Sequence, residues 1–283
     1  MIQASGHGGA VEHADRSAKA ERAGATSLVR VAAVGDLHYT RTSQGLLERA
    51  LGGDVLSRAD VLVLCGDLTD YGLPEEARAL AKDLSGVKLP IIAVLGNHDH
   101  ESGQAEAVVE ILRDTGGVTV LDGESCEVRG VGFAGAKGFG GGFGRRVLEP
   151  WGEPAIKRFV QDALDEALKL ERALSRLRTR SRVAVLHYAP IKGTVEGESL
   201  EIYPFLGSSR LEEPINRFRA SLVFHGHCHH GTPEGRTTAG IPVYNVALPV
   251  LRRTLSDGAP PVRLVELPAD EADPRGQGGP ARA

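Results

Sequence analysis

The feature that most constrains this chain is a repeated arrangement in which a short Val/Ile/Leu-rich run ends and Asp, Asn or His follows within a few residues, often beside glycine. The runs lie at 28–34, 61–64, 91–95, 183–186, 222–224, 243–247 and 262–266. Short apolar runs bounded by Gly, Asp or Pro are the pattern of strands buried on both faces. Amphipathic stretches at 43–57, 75–84, 103–114, 153–178 and 211–219 separate many of them and are expected to be helices. Pro74, followed by Glu75 and Glu76, suits a helix N-terminus. Strand–helix alternation through the first hundred residues of the core predicts an α/β protein built on parallel βαβ units. Residues 118–134 read as tighter antiparallel pairing, so a mixed sheet system is expected. No internal repeat is visible.

Length and composition narrow the class. A chain of 283 residues can bury a substantial core in one large domain, expected here over 28–268. The ends, 1–27 and 269–283, lack sustained periodicity and are expected to be disordered tails. Lys plus Arg number 33 against 37 Asp plus Glu, so the net charge of −4 gives no strong nucleic-acid signal. No apolar run approaches the ~18 residues of a membrane span, and the N-terminus lacks the apolar stretch of a signal peptide. Cys65, Cys126 and Cys228 are an odd set for a disulfide framework and point to a reducing compartment. The expectation is a soluble cytoplasmic protein without a membrane partner; its oligomeric state is not legible.

Eight of the ten histidines lie in four clusters just after apolar runs: Gly-Asp-Leu-His at 35–38, Gly-Asn-His-Asp-His at 96–100, His187, and His-Gly-His-Cys-His-His at 225–230. A fifth run ends in Gly66-Asp67. In open α/β sheets functional groups gather beyond the carboxyl ends of strands, so these segments can converge on one edge. That edge would collect Asp36, His38, Asp67, Asn97, His98, Asp99, His187, His227 and His229. Crowded imidazoles and carboxylates repel or carry a heavy desolvation cost unless a divalent metal balances them. So many donors exceed one tetrahedral ion and suit two ions sharing a carboxylate.

Taken in order, Asp36-x-His38, Gly66-Asp67, Gly96-Asn97-His98-Asp99, His187 and Gly226-His227-x-His229 resemble the calcineurin-like metallophosphoesterase superfamily, over roughly 28–250. The likeness is greatest to its bacterial cyclic-nucleotide-phosphodiesterase-like branch. The resemblance implies a sandwich of two mixed β-sheets flanked by helices. It implies that Asp36, His38 and His229 hold one metal ion, that Asn97, His187 and His227 hold a second, and that Asp67 bridges them. His98 is implied to be the catalytic residue at the leaving-group oxygen, with Asp99 orienting it. The ions would be divalent or mixed-valence, with manganese, iron, zinc, cobalt and nickel all suited to mixed N/O donors.

The implied chemistry is hydrolysis of phosphate esters by metal-bound hydroxide, with a small phosphoester as the partner substrate. A small-molecule phosphodiesterase is the first reading. A phosphomonoesterase or protein phosphatase is the alternative, and a catalytically silent, metal-stabilised scaffold stays open as another class. A nuclease is weakened by the acidic balance.

Several neighbouring residues carry two readings. His225 alternates with His227 and His229, and Gly226 sets the frame that makes the latter two the ligands. His100 and His230 read as solvated or hydrogen-bonded extras, and Cys228 as packing. Asp70 either hydrogen-bonds a ligand or caps a turn. The glycine-rich segment 130–144, with Lys137, Arg145 and Arg146, either grips a phosphate or is a surface loop. Tyr39 and Tyr188 either stack on a base or pack.

Overall fold

A computed structural model describes residues 27–256 and 258–270. Two mixed sheets form the fold. The first contains β1 (Leu28–Val34), β2 (Val61–Cys65), β3 (Ile91–Val94), β4 (Val118–Val120) and β11 (Arg263–Pro268), in the order β11-β1-β2-β3-β4. β1 to β4 are mutually parallel and β11 runs antiparallel on β1. The second sheet contains β5 (Glu124–Val128), β6 (Val131–Gly135), β7 (Ser181–Val185), β8 (Leu222–His225), β9 (Glu234–Arg236) and β10 (Pro242–Asn245), in the order β5-β6-β7-β8-β10-β9. β6, β7, β8 and β10 are parallel, with antiparallel strands at both edges.

The alternation of side chains explains the layering. Phe133, Val183, Val185 and Phe224 on one face of the second sheet join the core that the first sheet builds. Their neighbours Ala134, Ala184 and Val223 face the other way, into a second cluster. That outer cluster is closed by α4 (Pro154–Arg176), through Leu170, Ala173 and Leu174, and by α6 (Ser209–Arg217), through Leu211 and Ile215. On the far side, α1 (Leu46–Arg58), α2 (Pro74–Leu84) and α3 (Ala105–Arg113) contribute Leu47, Leu51, Leu80, Leu84, Val108 and Leu112 to the main core. Helix, sheet, sheet and helix therefore stack in four layers, and the inner strands of each sheet are hidden on both faces, which is why they read as unbroken apolar runs. The edge strands β5 and β9 are polar and partly exposed. The short helices α5 (Tyr203–Leu206) and α7 (Leu248–Thr254) complete the set.

Local chemistry sets several boundaries. Pro74 opens α2, and the Glu76 carboxylate accepts the Tyr71 (2.9 Å) and Leu73 (3.3 Å) amides ahead of it. α1 is interrupted at Gly52, whose φ of 63° leaves helical space. Two expectations change. Residues 118–120 are not antiparallel: β4 joins β3 in parallel, and only β5 and β6 form the hairpin. The glycine-rich segment 130–144 is also not one loop, because its first part is the interior strand β6. The expected tails lie outside the described residues except Ser27, Ala269 and Asp270, where Ala269 donates its amide to Ser27 and Asp270 to Gly130.

Candidate metal centre

Every strand that ends in a chemically active segment does so at one edge. β1, β2 and β3 deliver Asp36 and His38, Asp67, and Asn97 and His98; β7 and β8 deliver His187 and the segment that carries His227 and His229. Neighbouring strand ends are tied within each sheet, the Asp36 amide donating to the Gly66 carbonyl (2.9 Å), the His38 amide to Asp67 (3.0 Å) and the Gly226 amide to His187 (3.1 Å). The two sheets are laced together by the Gly35 amide on Val246 (2.8 Å) and the Leu248 amide on Gly35 (3.0 Å). Among the described residues six non-glycine positions have positive φ, and four of them are Asp36, His38, Asp67 and His227. Such backbone strain concentrates where a site dictates side-chain direction. Gly96 and Gly226 are required by crowding, since a Cβ at either would collide with the carboxylate of Asp67 or Asp36.

The side chains gather in overlapping groups. Asp36, His38 and His229 offer ligand atoms within 4.8 Å of one another, so do Asp67, His187 and His227, and His38 is shared with a further group that includes Asp70 and His98. The Asp36 carboxylate accepts the His229 ring N–H (2.8 Å) and the His227 amide (3.0 Å). His187 donates Nδ1–H to the Cys65 carbonyl (2.9 Å), which turns Nε2 toward Asn97 Oδ1 (2.9 Å) and Asp67 Oδ1 (3.4 Å). The other oxygen of Asp67 lies 3.9 Å from His38 Nε2. Asp67 thus stands between the two groups, one oxygen facing each.

The electrostatics mark an unbalanced donor set. Asp36 and Asp67 are both buried carboxylates. Burial would raise the pKa of Asp67, yet the adjacent His187 holds it well below the usual range. Burial would likewise lower His187, but Asp67 raises it to about 9. Burial together with the neighbouring His187 pushes His227 down to about 3. His38 Nε2 is buried and has no hydrogen-bond partner. Two buried carboxylates, an orphaned imidazole nitrogen and several imidazoles in contact are the donor chemistry a divalent cation completes, so these residues fit metal ions.

His98 and its surroundings differ from the expectation in one respect. Among the described residues Asp99 makes no hydrogen bond to the His98 ring. Its buried carboxylate accepts the amides of Leu68 (3.1 Å), Thr69 (2.8 Å) and Gly96 (2.8 Å) and the Thr69 hydroxyl (2.5 Å), stitching the β2 and β3 loops together. Removing it strands several buried donors, so Asp99→Ala is expected to cost about 3 kcal/mol or more of stability, read by denaturant unfolding. His98 is oriented instead by Asp70: its Nδ1–H donates to the Asp70 carbonyl (2.7 Å), while the Asp70 carboxylate sits 3.2 Å from His38 Nδ1. Of the two readings of Asp70, the contact with a candidate ligand is the one found.

The remaining residues sort plainly. His225 is buried, donates Nδ1–H to the Gly226 carbonyl and takes the Thr194 hydroxyl on Nε2, both at 2.8 Å, so it is structural. Tyr39 is buried, donating its hydroxyl to Asp83 (2.6 Å) and accepting the Leu47 amide (2.8 Å). Tyr188 packs its ring 4.4 Å from that of His227. Arg145 and Arg146 lie exposed in a short turn. Lys137 is the member of the glycine-rich segment that reaches the site, its carbonyl accepting the His187 and Tyr188 amides (3.0 and 3.1 Å).

Fold and site together define a metallophosphoesterase-type α/β protein. The profile of the calcineurin-like phosphoesterase family matches residues 29–231, and the chain belongs to that family. Among solved structures it is similar to the phosphopantetheinyl hydrolase of Mycobacterium tuberculosis, with 15% identity over 91% of this chain and 100% of that one, and a TM-score of 0.57. It is also similar to protein TT1561 of Thermus thermophilus, with 16% identity over 77% and 89% of the two chains and a TM-score of 0.47. An archaeal phosphodiesterase aligns at 14% identity over 84% and 100%, with a TM-score of 0.41. No curated protein sequence matches the chain. At 15% identity the likeness to the phosphopantetheinyl hydrolase speaks to the fold alone. No described helix is long and apolar enough to cross a membrane.

Proposed function

We propose that the protein is a two-ion phosphodiesterase acting on a small-molecule ester. The observation that carries the reading is Asp67, a buried carboxylate with one oxygen toward His38 and the other toward His187. Asp36, His38 and His229 would hold one ion, Asn97, His187 and His227 the other, with Asp67 shared. When bound, such ions supply positive charge to the phosphate and lower the pKa of water. The protein's own contribution is orientation. The Cys65 carbonyl fixes the ring of His187 by taking its Nδ1–H and leaving Nε2 for an ion. His98, with Nδ1–H committed to Asp70, keeps Nε2 to carry a proton to the leaving oxygen. The proposed setting is the cytoplasm.

Asp70→Ala is expected to weaken metal binding at the His38 side by about 10–100-fold, measured by metal titration of stripped protein. Unchanged affinity would remove Asp70 from the support of His38. The activity itself is tested with protein stripped and reloaded with manganese, comparing bis(p-nitrophenyl) phosphate with p-nitrophenyl phosphate. A higher kcat/KM for the diester is expected. A higher value for the monoester would make the protein a phosphatase, and no turnover of either ester with two ions bound would point to a narrow natural substrate or to a scaffold.

A further inference from the structure

One stretch of chain, from Asn245 at the end of β10 to Arg253 in the last turn of α7, grips the candidate metal centre at two places. At the first, the Gly35 amide donates to the Val246 carbonyl (2.8 Å) and the Leu248 amide to the Gly35 carbonyl (3.0 Å), which fixes the backbone just before Asp36. At the second, the buried Asn245 side chain donates to the Cys228 carbonyl (2.8 Å). Arg253 holds the residues that follow. One guanidinium nitrogen donates to the His229 carbonyl and the other to the Gly231 carbonyl, both at 2.9 Å.

Asp36 and His229 belong to the same candidate ligand group, completed by His38. α7 is seated in the protein by the buried residues Leu248, Val250 and Leu251, so the guanidinium on its last turn is a fixed point for the loop that carries His229. Among the described residues no hydrogen bond from 245–253 reaches Asp67, Asn97 or His187. The grip therefore falls on one of the two candidate ion positions.

Charge and geometry act in opposite directions at Arg253. A positive side chain beside a cation site repels the ion, whereas a planar fork that bonds two carbonyls at once holds the ligand loop in place. The adjacent Arg252 supplies the comparison. It is exposed on the same helix with the same charge, and among the described residues its side chain has no hydrogen bond or ion pair. The sign of the change in metal affinity thus separates the two effects.

We propose that Arg253 is a positioning residue that sets the affinity of the ion held by Asp36, His38 and His229 and leaves the other ion untouched. The assignment deepens the two-ion reading and rests on it.

The test titrates stripped protein with manganese and counts bound ions after equilibrium dialysis. The wild type is expected to take up two. Arg253→Ala should bind one ion as the wild type does and the other about tenfold more weakly. Arg253→Lys keeps the charge but not the fork, so the same ion should be weakened to a smaller degree. Arg252→Ala, which loses a charge without losing a bond to the loop, should bind both ions at least as tightly as the wild type. Unchanged or tighter binding by Arg253→Ala, or equal weakening of both ions, would overturn the positioning role. A wild type that holds fewer than two ions would instead overturn the two-ion reading itself.

Discussion

Asp67→Ala is expected to lose both metal ions and, with them, at least about 10³-fold in phosphodiester turnover, since ion stabilisation of the reacting phosphate is worth several kcal/mol and each 1.36 kcal/mol is tenfold. The reason is geometric. The oxygens of Asp67 lie 3.4 Å from His187 Nε2 and 3.9 Å from His38 Nε2, so a single carboxylate serves both halves of the site. No other carboxylate in the cluster faces both groups: Asp36 is committed to His229 and the His227 amide. Metal content after dialysis, measured by mass spectrometry alongside hydrolysis of bis(p-nitrophenyl) phosphate, checks the prediction. Retention of both ions in the variant would refute the shared role of Asp67.

His98→Ala is expected to separate binding from chemistry. Its imidazole is anchored by the Asp70 carbonyl and packs at 4.7 Å against the His38 ring; it belongs to neither of the groups built on the buried carboxylates Asp36 and Asp67, only to the group it forms with His38 and Asp70. Metal content should therefore hold while kcat falls by about 10²–10⁴-fold, the usual contribution of a positioned proton donor. The loss should be smaller for nitrophenyl esters, whose leaving groups need little protonation, than for alkyl esters. A structural role would depress both equally. Unchanged turnover of alkyl esters would sink the proposed part of His98.

Much of this is legible in the sequence because buried strands and metal-type donors leave strong local signals. The apolar runs are continuous, since both sheets are covered on both faces, and every donor cluster follows a strand end because parallel strands present their carboxyl ends together. β4 lacks that signal: with Val118, Thr119 and Val120 alone, its length cannot distinguish a parallel edge strand from a hairpin arm. Asp99 reads as a partner of His98 because the two are adjacent in sequence. The 3-10 turn over His98–His100 instead points its carboxylate back into the buried β2 and β3 loops, where donors from Leu68, Thr69 and Gly96 await it. Asp70 acts through both its carbonyl and its carboxylate, a pairing no spacing rule anticipates. The grip of Arg253 is invisible in the sequence for a related reason. Arg253 and His229 are 24 positions apart, and only the folded path of β10 and α7 brings the guanidinium to the ligand loop.

The most direct measurement is a manganese-loaded crystal structure with anomalous diffraction recorded at the metal edge. The account predicts two peaks about 3.5–4 Å apart, with the Asp67 carboxylate between them, Asp36, His38 and His229 around one, and Asn97, His187 and His227 around the other. A single peak, or two peaks with Asp67 bound to neither or only one, would contradict it.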